Sequence, residues 1–474
     1  MRLTWRFSFA VAAISVSLLL PGASATPLEY NPYTTSSSAS SLSHSNPAFG
    51  GVAADTGAST ITYEERSYAE DTASKVAVKT STSTSTTFNN SAATNGSVLG
   101  LVHNRKLQQS NTDIQKIETF FGTSLERNLK KLASSAAFHV IPWPSSYWAM
   151  YLDGINYRWN PNEPSATEKY ANAFGLDANT LMTSVSQDTG ILSMASTKTS
   201  CWSDWDCAGQ NDGSTCARRD GEWQGYCIPS WYGICHAWAP AAILEPEPNC
   251  AIEHNGVTFH PMDIKALLSE VYDGANIGTI FTGARFNGPD SDAATDQYGR
   301  YTDASHRDLG PGFMHLALTN IIGRFNTSVV MDVKADAEVW NQPIYSYEVH
   351  TQTEMTPSEA ASQYYGQSIY PFNSAAQRIM YTETSITWVL ESYEDGGLVA
   401  SGRAASYMNT QSYTYLLELD NDYNILGGEW VGNSNSDHPD FLWFPQARPD
   451  LSTVTEVGIS YQNVRTLLEK ATSC

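Results

Sequence analysis

The seven cysteines restrict the fold of this 474-residue chain more than any other feature of its sequence. Six of them lie between Cys201 and Cys250, and the seventh is the last residue, Cys474. In an oxidising compartment cysteines pair, and an odd number leaves one unpaired or bridged to another chain. We predict that Cys235 is the free thiol. The other six cysteines are expected to form three disulfides, whose connectivity the sequence leaves open: Cys201, Cys207, Cys216, Cys227, Cys250 and Cys474. The first four of these are expected to close a small knot over residues 201–227.

The first 25 residues are typical of a secretory signal peptide. Arg2 and Arg6 precede the apolar run Phe7–Leu20, and small residues follow at the expected cleavage point. The apolar run is too short for a good membrane span, and no later segment approaches the required length. We therefore expect a secreted, extracellular protein, with the cell wall as one location, and no transmembrane segment.

Residues 26–110 are rich in serine, threonine and asparagine and contain little apolar material, so we predict a disordered pro-region. Such a segment is either a solvated glycosylated stalk or the activation peptide of a zymogen, and composition does not separate these two. Asn89, Asn95 and Asn326 each begin an N-x-S sequence and are candidate glycosylation sites.

The net charge argues against nucleic-acid binding. The chain has 27 basic and 49 acidic side chains, for a net charge of −22. A surface this acidic repels phosphate backbones, and no basic stripe offsets it.

Apolar periodicity predicts an α+β fold. Helices are expected at 113–132, 165–174, 177–186 and 261–271, and strands at 386–393, 412–419 and 425–431, with residues 420–424 as a hairpin turn between the last two. We expect residues 111–344 to form a catalytic core that contains the knot, and residues 345–474 to form a β-rich C-terminal part of the same protein.

The run Trp231–Pro240 is the strongest candidate for chemistry. Gly233 relaxes the turn before Cys235, and alanines and Trp238 after it suit a short helix. A helix N-terminus lowers the pKa of a thiol and so favours the thiolate nucleophile. The run is similar to the nucleophile region of papain-like transglutaminases, although His236 replaces the usual tryptophan. The alternative is that Cys235 forms a disulfide with Cys250.

A cysteine nucleophile needs a histidine base and a group that orients it. We predict that 313–320 and 327–333 are strands joined by a turn at Gly323-Arg324, which would place His315 directly opposite Asp332. The alternatives are a core histidine and an edge carboxylate without a catalytic role. His260 lacks an obvious acidic partner, and His236 is an unsuitable base for Cys235 because neighbouring side chains of a helix point apart.

No organic cofactor or standard metal-binding spacing is indicated. Asp290, Asp292 and Asp296 lie in an acidic loop that could hold calcium, but the spacing is not that of an EF-hand, and a solvated loop is the simpler interpretation.

Four stretches resemble the oomycete transglutaminase elicitor family: 142–148, 232–240, 331–343 and 427–432. The third contains Val339, Trp340, Asn341, Gln342 and Pro343. The similarity as a whole extends from about Asn111 to the end of the chain. The resemblance implies a papain-like core in which a helix packs on an antiparallel sheet, cross-linking of protein glutamine to amines, and calcium dependence. It also implies that Val339–Pro343 is a surface peptide perceived by a receptor of host plants. After Pro343 this chain continues Ile-Tyr-Ser-Tyr-Glu-Val, where the family usually has Val-Arg-Gly-Phe-Lys-Val.

On this resemblance, Cys235 attacks a glutamine side chain of a protein substrate, and a lysine or other primary amine takes the acyl group from the thioester. The Cys235 backbone N–H and Trp148 are the expected oxyanion donors. Two alternatives stay open at this point: a papain-like cysteine protease or amidase, and a non-catalytic secreted recognition protein.

Overall fold

Antiparallel strands organise most of the described chain. The computed structural model describes residues 40–41, 48, 50, 111–286, 288, 294–302, 306–307 and 309–474. The predicted signal peptide, nearly all of the predicted pro-region with Asn89 and Asn95, and the loop residues Asp290 and Asp292 lie outside these residues.

The described residues contain fourteen strands in three antiparallel sheets. The largest has nine strands in the order β1-β8-β14-β9-β10-β11-β12-β13, with β2 also paired to β10. The small sheets are β3-β5-β4 and β6-β7. The strands are β1 Ser40–Ser41, β2 Ser135–Ala137, β3 Ser200–Cys201, β4 Ser214–Ala217, β5 Gly225–Pro229, β6 Ile252–His254, β7 Val257–Phe259, β8 Gly278–Gly283, β9 Val330–Asp332, β10 Asn341–Met355, β11 Arg378–Val389, β12 Met408–Leu419, β13 Ile425–Trp430 and β14 Phe441–Pro445.

Eight α-helices accompany these strands in the described residues. The α+β prediction is therefore confirmed. Helix α4 packs against α5 and against β10 of the large sheet, which gives the expected helix-on-sheet core. The helices are α1 Asn111–Phe121, α2 Ala166–Phe174, α3 Ala178–Asp188, α4 Cys235–Leu244, α5 Pro261–Gly274, α6 Pro311–Ile321, α7 Pro357–Tyr365 and α8 Tyr461–Thr472.

Three predicted helices form where capping residues mark their starts. Ser165 and Asp177 accept N–H groups of the first turns of α2 and α3, and Pro261 occupies the first turn of α5. The predicted helix 113–132 is shorter, because Gly122 has a φ of 62° and ends α1. The apolar residues after Gly122 still reach the core from an irregular segment.

The predicted β-rich C-terminal part is confirmed, with β12 and β13 joined at 420–424. Strand β11 is longer at its start than predicted and ends before Tyr393. Strand β10 crosses the predicted boundary at 344, and β14 lies between β8 and β9. The two predicted parts therefore share one sheet.

The predicted hairpin of 313–320 with 327–333 is wrong. Residues Pro311–Ile321 form helix α6, whose residues are all buried. A continuous apolar run of this kind has the same pattern in a buried helix as in a buried strand, so periodicity could not separate them. Pro311, at the first turn of α6, is the feature of the sequence that favours a helix here.

The cysteine predictions are confirmed. Cys201 bonds to Cys216 and Cys207 to Cys227, closing the knot around β3, β4 and β5, and Cys235 is free. The third disulfide, Cys250–Cys474, ties the chain end to the segment before β6. In the described part of the chain, no helix is long and apolar enough to cross a membrane.

Candidate active site

Cys235 is the first residue of α4, and its side chain lies in the core with 1% of its surface exposed. The turn before it is braced by another segment, since the Ile234 N–H donates to the Tyr147 carbonyl at 2.8 Å. A Cβ on Gly233 would lie 2.5 Å from that same carbonyl oxygen, so only glycine fits here. The predicted glycine-cysteine-helix arrangement is present.

The side-chain amide of Asn341 faces the thiol. Its Nδ2 lies 3.4 Å from Sγ of Cys235, and the Val339 carbonyl lies 3.7 Å from the same sulfur. The indole N–H of Trp443 donates to Oδ1 of Asn341 at 2.8 Å. Since Oδ1 must accept this bond, Nδ2 is the group that points to Cys235. The Asn341 side chain therefore presents an N–H donor of fixed orientation to the Cys235 sulfur.

Burial raises the pKa of Cys235 to about 11, against the lowering effect of the Asn341 N–H groups. The nearby carboxyl groups of Glu391 and Asp332 raise it further. In this arrangement the sulfur is a neutral thiol at neutral pH. Solvent access, or removal of whatever covers the sulfur, would favour the thiolate.

A histidine–carboxylate pair lies beside the thiol. His236 is fully buried, and its Nε2 is 2.8 Å from Oδ1 of Asp273 on α5. Its Nδ1 accepts the Gly50 backbone N–H at 3.0 Å, so Nε2 carries the proton and bonds to Asp273. A Cβ on Gly50 would lie 2.7 Å from the Cys235 sulfur and 3.5 Å from His236 Nδ1. Thiol and imidazole therefore border one common space.

Asp332 holds the segment that carries Asn341. It is the cross-strand partner of Asn341, and its Oδ1 accepts the Trp340 N–H at 2.9 Å. Burial raises the pKa of Asp332 to about 8, with its backbone donors and Arg285 opposing the rise. Burial also raises the pKa of the neighbouring Asp440 well above its usual range. Asp332, Asp440 and Arg285 thus interact electrostatically where β9 ends and β14 begins.

The structure does not bring His315 to Asp332 across a hairpin. His315 lies in the middle of α6, and its Nδ1 is 2.8 Å from the Tyr415 hydroxyl, which in turn bonds to Thr384. Burial lowers the pKa of His315 to about 4, so the ring is neutral at neutral pH. These contacts are those of a satisfied core histidine. Of the three predicted catalytic residues, Cys235 and Asp332 lie close enough for the Asp332 carboxylate to raise the pKa of the thiol.

Trp148, the predicted oxyanion donor, supports the turn before Cys235. Its carbonyl lies 3.3 Å from the position of a Cβ on Gly233, its φ is 48°, and its ring is fully buried. Within the described parts of the chain, its indole nitrogen has no hydrogen-bond acceptor. Its role as donor stays a prediction, whereas Asn341 already presents an N–H to the sulfur.

The prediction that Val339–Pro343 is a surface peptide is wrong. Val339, Asn341, Gln342 and Pro343 are buried, and Trp340 is half-buried against Tyr147. The peptide enters β10, between β9 and β11 of the large sheet, and Asn341 reaches the thiol. Packing in the sheet explains the burial of a segment rich in apolar and amide side chains.

Of the acidic-loop residues named as calcium ligands, Asp296 alone lies in the described part of the chain, and calcium binding stays a prediction. Both oxygens of Asp296 are bonded, to the backbone N–H groups of Tyr298 and Arg300 and to the Arg300 side chain. Among the described residues, the one cluster of metal-ligand side chains is Cys201, Cys207 and Cys227, and these cysteines are in disulfides. Asn326 is exposed, as a glycosylation site requires.

Sequence reasoning missed Asn341 and the His236–Asp273 pair as parts of the site. Asn341 belongs to the elicitor-like peptide, whose resemblance implies recognition and gives no sign of contact with the thiol. Neighbouring side chains diverge within a helix, but at the start of α4 the side chains of Cys235 and His236 border one space. Asp273 lies in the last turn of α5, and nothing in the sequence around it indicates that its partner is His236.

Two comparisons with known proteins find a match. Residues 113–474 match the transglutaminase elicitor family. The crystal structure of the GP42 transglutaminase from Phytophthora sojae is similar to the chain with a TM-score of 0.70 and 48% sequence identity, over 77% of this chain and 99% of that one. A comparison with curated protein sequences finds no match.

Proposed function

The chain belongs to the transglutaminase elicitor family, and on this basis we propose that it is a secreted transglutaminase that acts through a thioester on Cys235. The observation that carries the proposal is the free thiol at the start of α4 with a fixed Asn341 N–H 3.4 Å from its sulfur. The named activity of the similar Phytophthora sojae enzyme supports it.

In the first half-reaction, the Cys235 sulfur forms a bond to the carboxamide carbon of a protein glutamine, and its proton passes to the imidazole of His236. A water or substrate group in the common space beside Sγ and Nδ1 can carry this proton. The C–N bond then breaks, and the leaving nitrogen takes the proton and departs as ammonia. Asp273 keeps the ring oriented throughout and stabilises the imidazolium.

In the second half-reaction, the amine of a lysine or another primary amine attacks the thioester carbon. His236 removes a proton from the attacking nitrogen, the C–S bond breaks, and the thiol is restored. The product is an isopeptide bond between two proteins. Water in place of the amine would give glutamate.

Asn341 supplies the electrostatic part of the catalysis. Its N–H can stabilise the thiolate before attack and the oxyanion during it, at no cost of reorientation because Trp443 holds the amide. The Cys235 backbone N–H at the helix start is the second donor.

The three disulfides support secretion, because disulfides persist in extracellular proteins and are rare in the reducing cytosol. Perception of Val339–Pro343 by a host receptor is part of the proposal as well. Because that peptide is buried, perception would require unfolding or proteolysis of the protein.

The test is incorporation of a fluorescent primary amine into casein, with the chain as secreted and after limited proteolysis before Asn111. Cys235→Ala provides the matched inactive control. Amine transfer that Cys235→Ala abolishes supports the transglutaminase. Casein cleavage without amine transfer would support the cysteine protease alternative, and absence of both would favour a non-catalytic recognition protein.

A further inference from the structure

The N-terminal segment before the catalytic core reaches the thiol. Ala48 is fully buried within the core that contains Cys235, and Gly50 is buried as well. Earlier in the segment, β1 adds to the edge of the large sheet, with Ser40 opposite Thr279 and Ser41 opposite Gly278 of β8. The segment is therefore bound to the core at two separate points.

Three main-chain hydrogen bonds fix the segment in the thiol cleft, which we define as the space bordered by Gly233, Cys235, His236 and Asn341. The Gly50 N–H donates to His236 Nδ1 at 3.0 Å, and the Gly233 N–H donates to the Gly50 carbonyl at 2.8 Å. Asn341 Nδ2 donates to the Ala48 carbonyl at 2.7 Å. Backbone groups of Ala48 and Gly50 thus occupy the cleft.

The fit around Gly50 leaves no room for a side chain. A Cβ at this position would lie 2.7 Å from the Cys235 sulfur and 2.9 Å from the Gly233 carbonyl oxygen. Both contacts are shorter than real Cβ atoms make, and the second is to backbone that cannot swing away. Glycine is therefore required at residue 50 for the segment to bind in this way.

We propose that the segment containing Ala48 and Gly50 is an intramolecular inhibitor, which occupies the acyl-donor cleft as a peptide without a reactive side chain. The segment contacts the groups that the proposed reaction needs. Gly50 lies against the Cys235 sulfur, and its backbone N–H donates to Nδ1 of His236, the atom that would accept the thiol proton. The Ala48 carbonyl accepts a hydrogen bond from Nδ2 of Asn341, which also faces the sulfur. The neutral, buried state of the Cys235 thiol agrees with this occupancy. The proposal rests on the proposed function for the identity of the cleft.

Release follows from the covalent connection between segment and core. While the chain is intact, the segment is held near the cleft at a high effective concentration. A cut between Gly50 and Asn111 removes that advantage, so dilution should empty the cleft. Activation by a protease acting in this interval is the expected regulation, and the emptied cleft marks where the main chain of a glutamine-containing substrate binds.

The first test uses the full chain with Gly50→Leu, and Gly209→Leu as matched control, because Gly209 is exposed with no atom near the position of its Cβ. The measurement is the rate at which iodoacetamide labels Cys235 without reduction. Loss of three hydrogen bonds should speed labelling roughly 100-fold in Gly50→Leu and leave Gly209→Leu like the unchanged chain. Equal labelling of all three folded proteins would overturn the proposal.

The second test applies even when Gly50→Leu does not fold. A specific protease sequence is inserted between Gly50 and Asn111 of the full chain, and labelling of Cys235 is followed before and after cutting and dilution. Faster labelling after the cut supports the inhibitor, and an unchanged rate overturns it. A synthetic peptide of residues 40–50 should slow labelling of the cut protein again, whereas the same peptide with Gly50→Leu should not.

The labelling experiments separate this proposal from the proposed function. Fast labelling after the cut, without amine incorporation into casein, would keep the inhibitory segment and reject the transglutaminase. Amine incorporation at the same rate before and after the cut would keep the transglutaminase and reject the inhibitor.

Discussion

Replacement of Asn341 by alanine removes the N–H that faces the Cys235 sulfur. Loss of a single pre-oriented oxyanion donor costs about 10²–10³ in kcat. The same change leaves the Trp443 indole N–H without its acceptor, which costs about 1–3 kcal/mol of stability. A protein of ordinary stability, about 5–15 kcal/mol, should remain folded. We therefore expect Asn341→Ala to be folded, moderately destabilised and nearly inactive.

Trp443→Phe separates catalysis from packing. This variant also breaks the bond between the indole and Oδ1 of Asn341, but it keeps the Nδ2 donor. Its stability loss should be similar, while its kcat should fall by only about 10-fold, because a looser amide still donates for part of the time. Amine incorporation and urea unfolding are measured for both variants after cleavage of the N-terminal segment. An Asn341→Ala protein within threefold of the normal kcat, or equal losses of kcat in both variants, would refute the donor role.

Three further predictions follow from the contacts around the site and from the third disulfide. His236→Ala should lower amine incorporation by about 10²–10⁴-fold, whereas His315→Ala should mainly lower the melting temperature, and the reverse ranking would restore His315 as the base. Because burial raises the pKa of Asp332 to about 8, the folded chain keeps a proton that the unfolded chain releases, and stability should fall as pH rises from about 4 to 8. Urea unfolding across that window should show a flatter slope for Asp332→Asn, and an identical slope would contradict the assignment. Serine at both Cys250 and Cys474 should cost about 4–5 kcal/mol, since their disulfide closes a very long loop, and an unchanged urea midpoint would contradict this.

Local patterns in the sequence predicted the elements that depend on local interactions. Capping residues and apolar spacing located α2, α3 and α5, and the odd cysteine count identified Cys235 as the free thiol. The same kind of reasoning failed for α6, where uniform burial removed the polar face that distinguishes a helix from a strand. The predicted catalytic pair of His315 and Asp332 depended on that element and failed with it.

The sequence by itself determined the free thiol, the six paired cysteines and the α+β class, because each rests on residue type, count or short-range spacing. Only the tertiary structure decided what surrounds the thiol. Asn341 reaches Cys235 across 106 positions of the chain, and Gly50 reaches His236 across 186. Such contacts are made by the packing of distant strands and helices, and no local pattern in either segment specifies its partner. The sequence therefore identifies the free thiol, and only the folded chain identifies the groups that surround it.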